Sequence, residues 1–161
     1  MKKFEENEYS TKLRGLAELK NFVGKELGLT DWMQMNQKKI NEFAKITNDE
    51  QWIHTDPEKC SLFSPYKKTI AHGFLVLSMV SRISFDAFTI ENVVAGINYG
   101  LDRVRFPNAT KSDSTYRGRV SLMEFTEIPR GAKYKLKIEI EIKGEDKPAC
   151  TAEFIALAYT K

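Results

Sequence analysis

Residues 69–88 read Thr-Ile-Ala-His-Gly-Phe-Leu-Val-Leu-Ser-Met-Val-Ser-Arg-Ile-Ser-Phe-Asp-Ala-Phe, and this stretch decides the fold. Its apolar side chains leave no polar stripe wide enough to face water: Phe74, Leu75, Val76, Leu77, Met79, Val80, Ile83 and Phe85. A helix that is apolar on nearly every side belongs inside a core or a membrane. Arg82 and Asp86 interrupt it too soon for a bilayer span of about 20 apolar residues. We therefore predict a buried central helix.

The period of the apolar pattern changes from 3.6 to 2 after this helix. The clearest strand is 133–143, where Tyr134, Leu136, Ile138, Ile140 and Ile142 alternate with lysine and glutamate. Strands are also predicted over 93–106, with a bend or bulge at its glycines, over 116–125 and over 149–159. Sequential strands with short connections favour an antiparallel meander. We expect an α+β fold in which this sheet curls around the helix, the hot-dog arrangement.

The chain upstream of the central helix carries two helix-start signals. Asn36 is a good N-cap for an amphipathic helix that should stop near Asn48, and Asp56 precedes a proline that fits a first helical position. Ser10 could cap another short helix, with apolar positions Leu13, Leu16, Ala17 and Phe22. Residues 1–15 are predicted to form an N-terminal extension, either poorly ordered or helical, of a single domain spanning 1–161.

Composition is that of an ordinary globular protein. A formal charge of +3 is too weak to indicate nucleic-acid binding. Cys60 and Cys150 lack metal-like spacing and are expected to be reduced structural thiols. The N-terminus has no apolar leader segment. We therefore expect a cytoplasmic protein that binds neither membrane nor nucleic acid.

Asp49 and His54 form the first candidate site. They lie five residues apart in a polar segment shortly before the central helix. A carboxylate and an imidazole held together can orient a water molecule and move its proton near neutral pH. Spacing alone leaves open a simpler role, in which Asp49 caps a turn and His54 hydrogen-bonds to backbone.

His72 and Gly73 form the second candidate, at the start of the central helix. Free backbone N–H groups and the helix dipole attract negative charge at such a position. A reacting group that develops negative charge would be stabilised there.

Three motifs in order closely resemble the MaoC-like dehydratase family, nearest to its NodN-like branch, which is related to (R)-specific enoyl-CoA hydratases. The residues that carry the resemblance are Phe43, Ala44, Thr47, Asp49, Ile53, His54 and Asp56, then Ile-Ala-His-Gly-Phe-Leu at 70–75 and Asn-Tyr-Gly-Leu-Asp-Arg-Val-Arg-Phe-Pro at 98–107. The resemblance covers most of residues 20–160.

The resemblance implies a hydro-lyase of fatty acid metabolism that hydrates 2-enoyl thioesters or dehydrates 3-hydroxyacyl thioesters. Asp49 and His54 match the pair that activates water, and Gly73 matches the glycine whose N–H polarises the thioester carbonyl. Ser81 aligns with a serine that lines this pocket, although it could equally ease helix packing. His72 is a motif residue at the substrate site, which we interpret as structural and hydrogen-bonded near the loop. No metal or cofactor is implied beyond the coenzyme A or acyl carrier of the substrate.

The chain departs from the hydratase pattern beside the acid–base pair. Asn48 replaces a glycine, and Gln51-Trp52 replaces Asn-Pro. Trp52 could line the acyl site or pack against a partner subunit. This keeps two alternatives open, a hot-dog acyl-CoA thioesterase and a non-catalytic acyl-thioester binding protein.

Cations could contact the phosphates of the thioester carrier. The candidates are Arg103, Arg105, Lys67 and Lys68. Each alone could also be a solvated surface residue. A curled sheet leaves edge strands, and the resemblance implies that two such units pair, so we also expect a homodimer or a higher homo-oligomer.

Overall fold

A computed structural model describes residues 9–161. In chain order its elements are β1 (Thr11–Leu13), α1 (Leu16–Lys20), β2 (Glu26–Leu29), β3 (Met33–Met35), α2 (Gln37–Thr47), α3 (Trp52–Thr55), α4 (Pro57–Phe63), α5 (Gly73–Ala87), β4 (Phe88–Ile90), β5 (Val93–Arg105), β6 (Ser114–Ile128), β7 (Gly131–Ile142) and β8 (Cys150–Thr160).

The main sheet has six antiparallel strands in the order β2-β6-β7-β8-β5, with β3 also pairing with β6. The predicted meander is confirmed for β6, β7 and β8. Strand β5 does not pair with β6, because the connection at 106–113 carries the chain away and β5 pairs with β8 instead. Its register shifts at three places, one of them between Asn98 and Gly100, which confirms the predicted bulge. A separate parallel pair joins β1 and β4.

Helix α5 packs closely on the concave face of the sheet. Ile83 of α5 is fully buried and lies directly over Gly118 of β6, where an added Cβ would come within 2.1 Å of its Cγ2. The glycine therefore sets the distance between helix and sheet. Buried side chains of β7 complete the core, because they alternate with the lysines and glutamates of its outer face. The predicted α+β arrangement of a sheet around one central helix is confirmed.

The prediction that α5 is buried on every side is wrong at two positions. Phe74 and Phe85 are 74% and 64% exposed. The sheet curls around only one side of the helix, so the described part of the chain leaves the other side uncovered.

The local helix signals had mixed outcomes. The Asn36 side chain accepts from Lys39 N at 3.0 Å, and the Asp56 side chain accepts from Lys59 N at 2.8 Å, so both predicted N-caps are confirmed. The short helix predicted after Ser10 forms, but it begins later: Ser10 bridges to Gly28, the next residues form β1, and α1 contains the predicted Leu16 and Ala17. The cap predicted at Ser10 is wrong, because the N-cap of α1 is Gly15. Residues 1–8 of the predicted extension lie outside the described residues.

Both cysteines are buried and unpaired. This agrees with the predicted structural thiols. Within residues 9–161, no helix combines the length and apolarity needed to cross a bilayer.

Candidate active site

His54 lies on the short helix α3 and is held at both its backbone and its ring. Its Nδ1 is 2.7 Å from the carbonyl oxygen of Ile70. A carbonyl can only accept, so Nδ1 carries the proton and Nε2 of the neutral ring carries a lone pair. The Ile70 N–H in turn donates to the Ile53 carbonyl at 3.0 Å, which ties α3 to the segment before α5. This arrangement leaves Nε2 as a proton acceptor.

The surroundings of His54 favour the neutral ring. Its side chain is only 7% exposed, and burial lowers its pKa from 6.5. The Ile70 carbonyl opposes this shift, His72 lowers the pKa further, and Asp49 raises it. Desolvation is the largest effect, because burial penalises the charged imidazolium. His54 is therefore suited to act as a base at neutral pH.

Asp49 is brought to His54 by a left-handed residue. Asn48, the C-cap of α2, has φ 56° and ψ 25°. Asparagine is one of the few residues besides glycine that adopts this conformation readily. A glycine at this position would adopt the same conformation without strain. An oxygen of Asp49 and a ring nitrogen of His54 lie within 4.8 Å, a gap that one water molecule can bridge.

His72 connects the acid–base loop to α5. Its Nε2 donates to the backbone carbonyl of Asp49 at 2.8 Å, which is the hydrogen bond to the loop expected from the sequence. Its ring stacks on that of His54 with centroids 3.7 Å apart, and Phe43 packs against it at 5.1 Å. The side chain is 4% exposed. His72 thus lies beneath the site as support for the loop.

Gly73 begins α5, directly after His72. Its N–H is in the first turn, where helix N–H groups have no intrahelical acceptor, and the dipole adds positive potential. The ring of Phe106 lies against this glycine, since an added Cβ would be 3.2–3.3 Å from three ring carbons. The helix end therefore offers a donor beside an aromatic wall.

Asp49, His54 and His72 could in principle ligate a metal ion, because one ligand atom from each lies within 4.8 Å of the others. The ring planes of the histidines, however, are only 24° from parallel. A metal lies about 2.0–2.1 Å from an imidazole nitrogen, along a lone pair in the ring plane. One ion cannot lie in two stacked planes at that distance. The three side chains do not fit a chelating site.

Two further predicted pocket residues, Trp52 and Ser81, lie on the helices that carry His54 and Gly73. Trp52 begins α3, is half-buried and has Lys59 Nζ 5.1 Å from its ring centroid. Ser81 lies about 12 Å along α5 from Gly73, at 1.5 Å per residue. Within the described residues its side chain makes no hydrogen bond; its backbone carbonyl accepts from Ser84 Oγ.

The predicted carrier cations lie on two different segments. Arg103 and Arg105 are exposed on the edge strand β5, with Arg105 Nη1 donating to the Val104 carbonyl. Lys67 and Lys68 are exposed in the loop after α4, where Lys67 Nζ donates to the Leu62 carbonyl. Arg103 forms no ion pair with any described residue. The two arginines flank Val104 on the strand that leads to Phe106.

Sequence reasoning missed the polar residues that hold His54. Gln37 Nε2 donates to the backbone carbonyl of His54 at 2.7 Å, and Gln37 Oε1 accepts from the buried hydroxyl of Thr69. Gln37 stands at the start of an amphipathic helix, where a polar residue is unremarkable. Only the topology, which folds residue 69 back onto residue 37, gives it a role.

The fold and site together define a hot-dog protein with an aspartate–histidine pair beside the start of its central helix. A sequence model described as "MaoC like domain" matches residues 18–141. The chain belongs to this family. 3-Hydroxyacyl-thioester dehydratase Z of Mycobacterium tuberculosis is 38% identical over 141 residues, covering 87% of this chain and 93% of the relative. Nodulation protein N of Rhizobium leguminosarum bv. viciae is 41% identical over 146 residues, covering 88% and 89%.

Solved structures support the same fold. A monoamine oxidase regulatory protein from Archaeoglobus matches with TM-score 0.72 and 21% identity, covering 95% of this chain and 99% of its own. The R-hydratase PhaJ1 of Pseudomonas aeruginosa matches with TM-score 0.70 and 17% identity, covering 86% and 83%. Because both identities are below 25%, these two likenesses show the fold alone.

Proposed function

We propose that the chain is a hydro-lyase that adds water reversibly to 2-enoyl thioesters, giving (R)-3-hydroxyacyl thioesters. The observation that carries this is the Asp49–His54 pair, within 4.8 Å, next to the helix start at Gly73. A relative 38% identical over nearly its whole length is named as a 3-hydroxyacyl-thioester dehydratase, which supports the reaction class.

His54 and Asp49 activate the water in this proposal. Asp49 accepts one hydrogen bond from the water and fixes its orientation, while Nε2 of His54 takes the other proton. The water oxygen then bonds to C3 of the substrate, and the C2=C3 electron pair moves toward the thioester carbonyl. The proton is finally delivered to C2, so that one water molecule is consumed and no other reactant is needed. Elimination follows the same steps in reverse.

Gly73 stabilises the charge that develops on the carbonyl oxygen. The enolate oxygen forms where an N–H donor and the α5 dipole already point. Removal of one such preorganised donor typically costs about 3 kcal/mol in the transition state. The ring of Phe106 lies beside the same donor.

The reaction neither oxidises nor reduces the substrate, so it requires no redox cofactor. The carrier, coenzyme A or an acyl carrier protein, enters as part of the substrate. Arg103 and Arg105 are the proposed contacts for its phosphates, because they are exposed and positively charged on β5.

We further propose that two copies pair through β5 and the uncovered side of α5. Strand β5 lies at the sheet edge and exposes apolar side chains, among them Val94, Ile97 and Tyr99. Long apolar edge strands invite pairing. Small-angle scattering at micromolar concentration should give a dimeric mass, and Ile97→Asp should give a monomer. A monomeric wild type contradicts the proposal.

Hydration of crotonyl-CoA, followed by loss of the enone absorbance, tests the function. Wild type should turn over, and chiral analysis should find the (R) product. Asp49→Asn and His54→Gln should each reduce kcat at least about 100-fold, the lower range for general acid–base catalysis. Glu50→Gln is the matched control, because Glu50 is the exposed carboxylate next to Asp49.

Two results would redirect the assignment. Release of free thiol without hydration indicates a thioesterase. Binding of crotonyl-CoA and longer 2-enoyl-CoAs without turnover indicates a non-catalytic binding protein. Equal activity in wild type and both site variants contradicts the roles of Asp49 and His54.

A further inference from the structure

We infer that Gln37 is a positioning residue for His54, acting through a closed ring of hydrogen bonds that includes the Thr69 hydroxyl. This deepens the proposed function and rests on it for its catalytic consequence. The ring of hydrogen bonds is itself a property of the folded chain and can be tested without substrate.

The terminal amide of Gln37 uses both of its N–H donors and its carbonyl oxygen. Nε2 donates to the His54 carbonyl at 2.7 Å and to Asn41 Oδ1 at 2.8 Å. Oε1 accepts from Thr69 Oγ1. The His54 carbonyl can only accept, so the amide nitrogen must face it and the amide oxygen must face Thr69. The orientation of the amide is therefore fixed by its partners.

Thr69 leads directly to the residue that holds the imidazole. Its side chain is 1% exposed, and its own carbonyl accepts from Ser112 N at 2.8 Å. The next residue, Ile70, accepts the Nδ1–H of His54. The ring of contacts thus runs from the Gln37 amide to the His54 carbonyl, through the imidazole to Ile70, and back through Thr69.

This closed ring of hydrogen bonds fixes His54 in two ways. Gln37 holds its backbone, and Ile70 holds its side chain and tautomer. Removing the Gln37 amide leaves a carbonyl and a buried hydroxyl without partners, so both segments can move. A displacement of about 1 Å at a reacting group can cost roughly 100-fold in rate. Leucine lacks every hydrogen-bonding group of the amide, while glutamate keeps its length but, when ionised, offers only acceptors.

The test compares Gln37→Leu, Gln37→Glu and Thr69→Val with the control Asn36→Ala. Asn36 caps the same helix end by accepting from Lys39 N, whereas the amide that donates to the His54 carbonyl belongs to Gln37. The first readout is NMR of protein labelled with ¹⁵N-histidine, in which only two histidines contribute. His54→Gln assigns the ring N–H signal of His54. The second readout is the separate effect on kcat and KM for crotonyl-CoA.

We expect each Gln37 variant to speed exchange of the His54 ring proton with water at least about tenfold, as local opening becomes easier. Its kcat should fall about 10–100-fold with KM unchanged within about twofold. Thr69→Val should also speed exchange of the His54 ring proton and lower kcat. If the Gln37 variants fail to fold, Thr69→Val alone tests the inference. Asn36→Ala should lower the unfolding midpoint but leave both readouts unchanged.

Three results would overturn the inference: unchanged ring-proton exchange in the Gln37 and Thr69 variants, equal acceleration of exchange in Asn36→Ala, or lost kcat with an unmoved His54 signal. If the wild type shows no turnover but the Gln37 variants still exchange the His54 ring proton faster than wild type, the proposed function is refuted and the positioning role stands.

Discussion

The rings of His54 and His72 stack with centroids 3.7 Å apart, although they belong to different elements. His54 lies on α3, whereas His72 is the N-cap of α5. Each ring also contacts a backbone carbonyl, that of Ile70 and that of Asp49 respectively. The stack therefore joins the acid–base loop to the helix end at Gly73.

Stability should depend on pH through His54. Burial lowers its pKa from 6.5, so the unfolded chain binds this proton more tightly than the folded protein does. The free energy of unfolding is then unaffected well above pH 6.5 and falls as pH drops through 6.5 toward the lower folded pKa. Urea unfolding between pH 8 and 5 should show this decline in wild type and a shallower one in His54→Gln. Identical curves contradict the assigned shift.

His72→Phe should loosen the loop while keeping an aromatic ring against His54. The variant loses the donor to the Asp49 carbonyl, a hydrogen bond whose net contribution is about 1 kcal/mol. We expect that loss in the free energy of unfolding, together with a lower kcat for crotonyl-CoA because Asp49 is less well placed. His72→Gln, which can donate, should recover part of both. Retention of full kcat in His72→Phe would argue against coupling between loop and helix.

Gly73→Ala should separate activity from stability. An alanine here reduces the conformational entropy of the unfolded chain, which stabilises a protein by about 0.4–1 kcal/mol where the native backbone is compatible. Its methyl group would press on Phe106, whose ring is 45% exposed and has room to shift. We therefore expect unchanged or slightly higher stability and at least about a tenfold lower kcat, because the methyl narrows the space beside the N–H donor. Calorimetry and initial rates measure the two effects.

Gly118→Ala gives the contrasting case. Its Cβ would overlap the buried Ile83 of α5, and overpacking of this kind costs about 1–3 kcal/mol. A stability loss at Gly118 and an activity loss at Gly73 would distinguish the two glycines. The reverse result contradicts the packing described for both.

Asn48→Gly should be nearly neutral, whereas Asn48→Val should lower the free energy of unfolding by about 1–2 kcal/mol. The left-handed conformation costs a residue with a bulky side chain about that much. Urea denaturation with a constant m-value is the measurement. Equal stability of the two variants would contradict the prediction, because it would show that residue 48 can leave the left-handed conformation without cost.

Much of the fold could be predicted because its signals are local and periodic. The alternation in β7 and the apolar run of α5 each follow from one stretch of sequence. The exposure of Phe74 and Phe85 was not predictable from hydrophobicity, because an apolar helix face looks alike whether its cover is the same chain or a second copy. The three-residue strands β1 and β4 are too short to show a period, which explains why the helix predicted after Ser10 begins only at Leu16.

In the candidate site, too, only the residues with a local sequence signal could be predicted. Asp49, His54 and Gly73 could be proposed from motif spacing and resemblance, and they stay predictions. Gln37 was missed because its contacts with His54 and Thr69 span 17 and 32 residues, and no local pattern marks them. The role of Asn48 was recognisable only from its backbone conformation.

A crystal structure of the His54→Gln variant with a bound 2-enoyl-CoA would show where the thioester lies relative to Gly73 and Asp49. We predict that the thioester oxygen accepts from the Gly73 N–H at about 2.7–3.1 Å, with C3 facing the Asp49 carboxylate across a single water molecule. A thioester bound away from the start of α5, or with C3 turned from Asp49, would contradict the account.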